Sequence, residues 1–264
     1  MAADMNEAAH APSVSALILA GSRTEADPLA KAESVSHKAL IRIDGHTMLE
    51  RVHRALEHAG IQQIYVSASD DDVVRVAKSL GAIVVAPAAG PSGSVARVFE
   101  QSGAPLLVTT SDHALLRAQW VRDFLKDAPA GCDVAMLLAE RKAVEQAVPD
   151  THRTWLRFAD GDWSGCNMFL LNGDGAARAL RVWSAVEADR KRPWRIVGRL
   201  GLGTLLSYAL GRLSLAEGVR RLGKRNGLVA EVVAARDGAA AVDVDKPDDL
   251  VLVRKLLALR EGGQ

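Results

Sequence analysis

Short hydrophobic runs, rich in leucine and β-branched residues, recur along the chain, and most are followed by a segment with helical periodicity. Runs of this length that end at polar or turn residues predict buried strands. The predicted strands are Ala16–Ala20, Ile64–Ser67, Ile83–Ala86, Pro105–Thr109, Val134–Leu138, Asn167–Leu171 and a final one near Val229–Ala235. Strands that alternate with helices predict an α/β fold whose mostly parallel sheet is covered by helices on both faces.

Two segments between the strands have the pattern of amphipathic helices. Apolar residues recur every three or four positions from Thr47 to Ala59, and Gly60 follows where the helix should end. Asp70–Leu80 repeats the pattern and is closed by Gly81. Ligands of such sheets bind beyond the carboxyl ends of the strands, so we expect the chemistry in the loops that follow them.

The alternation breaks between about residues 176 and 228, where arginine, glycine and leucine are frequent and only helices are predicted. No linker, repeat or low-complexity segment divides the chain. We therefore predict a single domain over residues 14–264 with this stretch as a helical insertion, after a disordered tail at residues 1–13.

The composition narrows the class of protein. Of the 264 residues, 48% are hydrophobic, which is enough for a large core without disulfides or structural metals. Lysine and arginine (33) balance aspartate and glutamate (32), which argues against a nucleic-acid partner. Cys132 and Cys166 lack metal-site spacing and indicate reduced thiols, so we expect a cytoplasmic location.

The longest apolar stretch, Leu200–Gly211, is well short of the ~20 residues needed to span a bilayer. Stable membrane insertion is therefore not expected. Because Arg199 and Arg212 bound the stretch, peripheral membrane contact stays open as an alternative to a core position or a protein interface.

A glycine and two cations follow the first predicted strand. In Leu19-Ala20-Gly21-Ser22-Arg23 the glycine lets the backbone approach a ligand, and backbone N–H groups can contact phosphates. Arg23 and Lys38 are candidates for neutralising a triphosphate and its departing pyrophosphate. The alternative is that the glycine only forms a turn.

Three carboxylates occupy positions suited to a metal site. Asp112 follows the strand Pro105–Thr109, and Asp243 and Asp245 stand two positions apart before a predicted C-terminal helix. Mg²⁺ prefers oxygen ligands, and residues two apart on an extended segment point the same way. We expect Asp112 to hold Mg²⁺ with one or both of the other two. Helix capping is the alternative for Asp112 and Asp245.

These motifs, in this order, resemble those of the MobA-like (molybdenum-cofactor guanylyltransferase-like) NTP transferase family. The opening loop with Lys38 resembles the family's triphosphate-binding loop, and Gly90-Pro91-Ser92-Gly93-Ser94-Val95 resembles its nucleobase segment. Ser111-Asp112-His113-Ala114-Leu115-Leu116 is similar to its metal motif, and Asp243-Val244-Asp245-Lys246-Pro247-Asp248-Asp249 to its closing motif. The resemblance covers roughly residues 14–175 and 228–258.

The resemblance implies a Rossmann-like, glycosyltransferase-A-type nucleotidyltransferase fold and a role for each matched residue. It implies that Arg23, Lys38 and Asp112 are catalytic, and that the metal ligands are drawn from Asp112, Asp243 and Asp245. The implied nucleotide-binding residues are Leu19, Ala20, Gly21, Ser22, Gly90, Gly93 and Ser94. Gly165 and Asn167 lie where related enzymes face the acceptor.

The chain departs from the family pattern at three places. Ser22 replaces the second glycine of the opening loop, the gap between Arg23 and Lys38 is long, and Ala114 replaces the proline after the metal aspartate. These departures indicate a divergent branch. We expect CTP as the nucleotide, with GTP second.

The insertion and the stretch before it are locally basic, although the formal net charge is only +1. Arginine binds carboxylate or phosphate through paired hydrogen bonds, so we expect a small acceptor that carries both groups, such as a phosphoglycerate. The candidate acceptor-binding arginines are Arg153, Arg157, Arg192 and Arg195. The alternative is a solvated basic turn with tryptophans packed in the core.

The sequence thus predicts a Mg²⁺-dependent nucleotidyltransferase, with a product that could serve lipid head-group synthesis. An acceptor phosphate oxygen attacks the α-phosphate in line, and pyrophosphate leaves. The alternatives are a guanylyltransferase of a phosphorylated cofactor precursor, a nucleotide-sugar-dependent glycosyltransferase and a non-catalytic nucleotide-binding regulator. A glycosyltransferase would carry an Asp-x-Asp metal motif straight after a central strand, whereas the pair matched to the closing motif, Asp243 and Asp245, lies near the C-terminus.

Overall fold

The computed structural model describes residues 13–21, 27–149, 151–173, 175–189 and 201–261. The strands in these ranges are β1 (Ser15–Leu19), β2 (Arg42–Ile43), β3 (His46–Thr47), β4 (Ile64–Ser67), β5 (Ile83–Val85), β6 (Leu106–Thr110), β7 (Val134–Glu140), β8 (Leu156–Phe158), β9 (Gly161–Leu171) and β10 (Ala230–Ala234). The helices are α1 (Pro28–Ala32), α2 (Met48–His58), α3 (Asp71–Ser79), α4 (Pro91–Ser102), α5 (Ala118–Asp127), α6 (Arg141–Ala147), α7 (Ala176–Ala188), α8 (Leu202–Ala209), α9 (Leu215–Arg225) and α10 (Pro247–Glu261). Two 3₁₀ turns are Lys38–Leu40 and Gly238–Ala241.

The main sheet has the strand order β10-β7-β9-β6-β1-β4-β5, with β8 pairing to the first part of β9. β1 is parallel to both β4 and β6, whereas β9 is antiparallel to its neighbours β6 and β7. The predicted α/β fold with a mostly parallel sheet is therefore confirmed. The hairpin of β2 and β3 and the short strand β8 were not predicted, because strands of two or three residues are too short to show a period.

Alternate residues of each central strand face opposite sides of the sheet and enter two separate cores. Ala16 and Ile18 of β1 pack into the larger core with α2, α3, α5, α6 and α10, whereas Leu17 packs into the smaller core with α4 and α7. All three are fully buried. Burial on both faces explains why these strands appear in the sequence as continuous hydrophobic runs.

The two clearest helix predictions are confirmed, and the structure shows how each helix starts. Thr47 Oγ1 accepts a hydrogen bond from Glu50 N, and Glu50 Oε2 accepts one from Thr47 N, which is a complete capping box for α2. Asp70 caps α3 by accepting from the backbone N–H groups of Asp72 and Val73. Hydrogen bonds to the capping side chains therefore define where α2 and α3 begin.

The described part of the predicted insertion contains α7, α8 and α9 and no strand. Residues 1–12 of the predicted tail lie outside the described residues. None of the helices in the described ranges combines the length and apolar character that crossing a bilayer requires.

Candidate active site

Three charged side chains from distant parts of the chain meet at the carboxyl edge of the sheet. Lys38 opens the first 3₁₀ turn, Asp112 follows β6, and Asp245 lies two residues before α10. Lys38 Nζ donates to Asp112 Oδ2 at 2.6 Å and to Asp245 Oδ1 at 2.9 Å. The structure therefore brings together three of the residues predicted for catalysis and metal binding.

Lys38 is held as a permanent cation by this arrangement. Burial of the ammonium opposes its charge, but the carboxylates of Asp112 and Asp245 outweigh this and raise the pKa of Lys38 above its ordinary value. The side chains of Lys38 and Asp112 are 20% and 13% exposed, whereas that of Asp245 is 59% exposed. The cluster therefore opens to solvent on the Asp245 side, from which a ligand can approach.

Asp112 is fixed from two directions. Thr110 Oγ1 donates to Asp112 Oδ1 at 2.5 Å, and the backbone N–H of Val244 donates to the Asp112 carbonyl at 3.0 Å. Thr110 was not identified from the sequence, although its position two residues before the aspartate is a usable signal. The N-cap of α5 is Arg117, so helix capping is the wrong explanation for Asp112.

Arg153, Asn167 and Asp243 form a second cluster beside the first. Arg153 Nη1 donates to Asp243 Oδ1 at 2.5 Å, and Asn167 Nδ2 donates to Asp243 Oδ2 at 2.6 Å. Burial would raise the pKa of Asp243, but the Arg153 and Asn167 hydrogen bonds and the Arg153 charge hold it below its usual value. Asp243 and Asp245 therefore have different partners, although they are two positions apart.

Asn167 reaches Asp243 because β9 is irregular at this point. The register between β7 and β9 shifts between Met136 and Leu138, and Asn167 has a left-handed backbone with φ of +50°. Asparagine tolerates this conformation better than most residues, and bulges commonly redirect a side chain at a functional site. The bulge thus supplies a physical reason for asparagine at this position.

Two buried groups beside the clusters have the wrong protonation state for nucleophilic or cationic roles at neutral pH. Burial lowers the pKa of His113 to about 4, although the Asp243 and Asp112 carboxylates act in the opposite direction. Burial raises the pKa of the Cys166 thiol to about 12. The imidazole is therefore neutral and the thiol protonated, which agrees with a site that needs no protein nucleophile.

The segment matched to the nucleobase pocket forms the start of α4. Gly90 is the N-cap and Pro91 opens the helix. Ser94 Oγ accepts from Ala88 N at 2.9 Å and donates to Gly90 O at 3.3 Å. A Cβ at Gly93 would lie 2.9 Å from the Ala88 side chain, so a small residue is required where the loop packs on the helix.

The other predicted site residues are more scattered. Leu19 ends β1, with Ala20 buried and Gly21 exposed after it at the same sheet edge. Gly165 is exposed on β9 two positions before Asn167, and Arg157 is exposed on β8. The predicted site residues outside the described ranges are Ser22, Arg23, Arg192 and Arg195.

The paired carboxylates of the first cluster suit a magnesium ion that is shared with a substrate. Asp112 and Asp245 each direct an oxygen at the same positive charge, and Mg²⁺ is commonly bound by one or two carboxylates with substrate phosphates and water completing its ligands. Among residues that the structure describes, no three His, Cys, Asp or Glu side chains converge on one point.

A family model for the MobA-like NTP transferase domain matches residues 16–225. The chain therefore belongs to the MobA-like NTP transferase family, as its motifs predicted. The match ends before Asp243 and Asp245, which the fold nevertheless brings to the site. Among proteins of curated function, none matches the chain significantly.

Solved structures share the fold over nearly the whole chain. A hypothetical transferase from Thermus thermophilus is 30% identical, with a TM-score of 0.78, and the alignment covers 89% of this chain and 98% of that one. CMP:2-keto-3-deoxy-manno-octonic acid synthetase complexed with CTP is 19% identical, with a TM-score of 0.57 and coverage of 94% and 99%. The 2-C-methyl-D-erythritol 4-phosphate cytidylyltransferase from Thermus thermophilus is 17% identical, with a TM-score of 0.53 and coverage of 93% and 99%.

Proposed function

We propose that this protein is a cytoplasmic, Mg²⁺-dependent nucleotidyltransferase that transfers CMP from CTP to a small phosphorylated, acidic acceptor and releases pyrophosphate. The observation that carries the proposal is the cluster of Lys38, Asp112 and Asp245 at the carboxyl edge of the sheet. It combines a fixed cation for phosphate with two carboxylates suited to a divalent metal. Because the chain belongs to the MobA-like NTP transferase family, we assign nucleotidyl transfer as the reaction of this cluster.

In the proposed reaction an oxygen of the acceptor phosphate attacks the α-phosphorus of the nucleotide. A new P–O bond forms, the bond to the β-phosphate breaks, and pyrophosphate leaves with its electron pair. The attacking oxygen is already anionic, so no general base is needed. Mg²⁺ bound by Asp112 and Asp245 would supply charge stabilisation at the transferring phosphate. Lys38, together with Arg23 of the opening loop, neutralises the triphosphate and the leaving group.

The second cluster suits the acceptor. Asp243 binds one terminal nitrogen of Arg153, and the guanidinium fork still has donors with which to bind a carboxylate. Arg153 and Asn167 both contact Asp243, which stands two positions before the proposed metal ligand Asp245, and Gly165 precedes Asn167 by two positions on β9. We expect the acceptor to approach the α-phosphate from this side. A phosphoglycerate combines the required phosphate and carboxylate, with Arg157, Arg192 and Arg195 as further candidates for binding it.

Two observations support the preference for CTP. The opening loop departs from the pattern implied for guanine nucleotides, since Ser22 stands in place of a glycine. The fold is also that of an enzyme solved with CTP and of a cytidylyltransferase. GTP, used on a phosphorylated cofactor precursor, is the second candidate because the family takes its name from a guanylyltransferase.

The test offers CTP, GTP, UTP and ATP, each with Mg²⁺, to 2- and 3-phosphoglycerate, glycerol phosphate and sugar phosphates. Pyrophosphate release is the measurement, and we expect the highest rate with CTP and a phosphoglycerate. A strong GTP preference would refute the cytidylyl assignment. Absence of pyrophosphate release from every pair would refute nucleotidyl transfer to these acceptors.

Asp112→Asn tests the centre of the site. We expect kcat to fall at least about 100-fold, because the negative charge that would hold the metal at the reacting phosphate is lost while the side-chain shape is kept. The control is Asp71→Asn, an exposed aspartate in the first turn of α3, which should keep the wild-type rate. Near-wild-type turnover of Asp112→Asn would overturn the assignment of this aspartate.

A further inference from the structure

The side chain of Glu187, near the end of α7, reaches the start of α4. Glu187 Oε2 accepts a hydrogen bond from the backbone N–H of Ser92 at 3.0 Å, across 95 positions of sequence. Its other oxygen, Oε1, lies against Gly90, where an added Cβ would come within 1.9 Å of it. Gly90 has no side chain to cap α4, and Glu187 takes that place. This contact was not foreseen from the sequence.

The position of this contact relative to the reacting groups suits the base of a bound nucleotide. Asp112 follows β6 and the loop before α4 follows β5, and the two strands are separated by β1 and β4. All four strands are parallel, so their carboxyl ends share one edge of the sheet. Three strand spacings amount to roughly 14 Å. A nucleotide whose phosphates lie at Lys38 can extend along this edge to Gly90.

We propose that Glu187 is a specificity-determining residue that selects a nucleobase with an exocyclic amino group and discriminates cytosine from uracil. The inference rests on the proposed function. A carboxylate only accepts hydrogen bonds. Cytosine presents an N4 amino donor where uracil presents a carbonyl oxygen, and carboxylate side chains accept from this amino group in other recognition sites.

The geometry also suits a nucleobase that presents one N–H donor to Glu187 better than a nucleobase that presents two. Oε2 is already engaged by Ser92 N–H, whereas Oε1 has no hydrogen bond to any other residue within the described ranges. A single amino group matches one such oxygen. Guanine presents two adjacent donors to a carboxylate and would compete with Ser92 for Oε2. Glu187 therefore favours a base with a single amino donor, cytosine or adenine, over guanine.

The competing explanation is that Glu187 only caps α4 and holds it to α7. A cap that is lost would weaken the binding of every nucleotide by a similar factor. A group that contacts the base changes the ratio between two nucleotides instead. The ratio of the CTP and UTP dissociation constants is therefore the informative measurement, and it needs no knowledge of the acceptor.

Two different substitutions remove the carboxylate from this position. Glu187→Gln replaces one oxygen with an NH₂ donor. Gly90→Ala keeps Glu187 but inserts a methyl group where Oε1 lies, and the extended backbone of Gly90, with φ of −161°, accepts alanine without strain. Glu100→Gln, an exposed glutamate on the same helix α4, is the matched control.

Equilibrium dialysis with Mg²⁺ should show that the wild type binds CTP at least about tenfold more tightly than UTP. Glu187→Gln and Gly90→Ala should each reduce this ratio to about threefold or less, and Glu100→Gln should keep it. A preserved ratio in both variants, or equal binding of CTP and UTP by the wild type, would overturn the role of Glu187 and leave nucleotidyl transfer standing. Failure of the wild type to bind any of the four NTPs would refute both.

Discussion

At the scale of single residues, the closing segment shows how two aspartates of one motif acquire different roles. Asp245 is largely exposed and contacts Lys38, whereas the side chain of Asp243 is 13% exposed and is paired with Arg153 and Asn167. The extended segment predicts that both carboxylates point the same way, with one or both of them on the metal. Their separate partners favour Asp245 as the second metal ligand and Asp243 as the residue that positions Arg153.

The different partners of Asp243 and Asp245 predict different effects of the two Asp→Asn substitutions. Asp245→Asn should raise the Mg²⁺ concentration needed for half-maximal pyrophosphate release and leave the free energy of unfolding nearly unchanged. Asp243→Asn should lower the free energy of unfolding by about 3 kcal/mol, because the buried charge of Arg153 loses its partner. A magnesium titration of activity and urea unfolding measure the two effects. The reverse pattern would mean that Asp243 is the metal ligand.

At the scale of secondary-structure elements, α2 combines a local start signal with a buried titratable group. The capping box of Thr47 and Glu50 starts the helix, and the same apolar stripe that predicted α2 carries His53 into the core. His53 is 4% exposed. Burial lowers the pKa of His53, although the charge of Glu57 acts in the other direction. The folded protein therefore keeps this imidazole neutral.

The depressed pKa of His53 makes stability depend on pH. Above the unfolded-state pKa of about 6.5 the residue imposes no penalty, and below it the unfolded chain binds a proton that the folded one resists. The free energy of unfolding should therefore fall between pH 7.5 and 5.5, with at most about 1.4 kcal/mol from this residue. The depressed pKa values of His37 and His113 act in the same direction.

Urea unfolding at both pH values measures this decrease. It should be smaller in His53→Leu than in the wild type, whereas His58→Leu, at an exposed position of the same helix, should behave as the wild type does. An unchanged decrease in His53→Leu would show that this imidazole does not contribute.

At the scale of the whole molecule, the site depends on the packing of the 3₁₀ turn Gly238–Ala241, which precedes the closing motif, against α6. A Cβ at Gly238 would lie 2.1 Å from the carbonyl oxygen of Ala143 and 2.4 Å from the nitrogen of Val144. These are backbone atoms, which cannot turn aside as the end of a side chain can. The 3₁₀ turn that begins at Gly238 leads directly to Asp243 and Asp245. Its position therefore determines where both aspartates lie.

Gly238→Ala should consequently impair stability and activity together. We expect a loss of about 2 kcal/mol in the free energy of unfolding, from overpacking against α6. Pyrophosphate release by the protein that remains folded should also fall, because the aspartates are displaced. Gly203→Ala, in α8 with no heavy atom within 4 Å of the added Cβ, is the control and should lower neither the free energy of unfolding nor the rate. If Gly238→Ala is destabilised but keeps the wild-type rate of pyrophosphate release, the turn does not determine the positions of the two aspartates.

The sequence predicted those site residues whose place can be inferred from a nearby strand, helix or motif. Asp112 follows a strand signal, Asp245 precedes a helix signal, and Lys38 belongs to the opening-loop motif, and the fold brings these positions together at the carboxyl edge of the sheet. The contacts of Glu187 with α4 and of Arg153 with Asp243 had no local signal. Each joins residues 90 or more positions apart through the packing of elements whose register the sequence does not display.

The sequence by itself determined the α/β class, the helices α2 and α3 with their caps, and the family, because hydrophobic period, capping residues and motif order are properties of short segments. The tertiary structure alone decided that β9 enters antiparallel between β6 and β7, that a bulge directs Asn167 to Asp243, and that Asp243 and Asp245 take different partners. Strand order and bulges follow from the free energy of packing the whole chain. A one-residue change of register reverses the face of every side chain, so local patterns cannot specify these contacts.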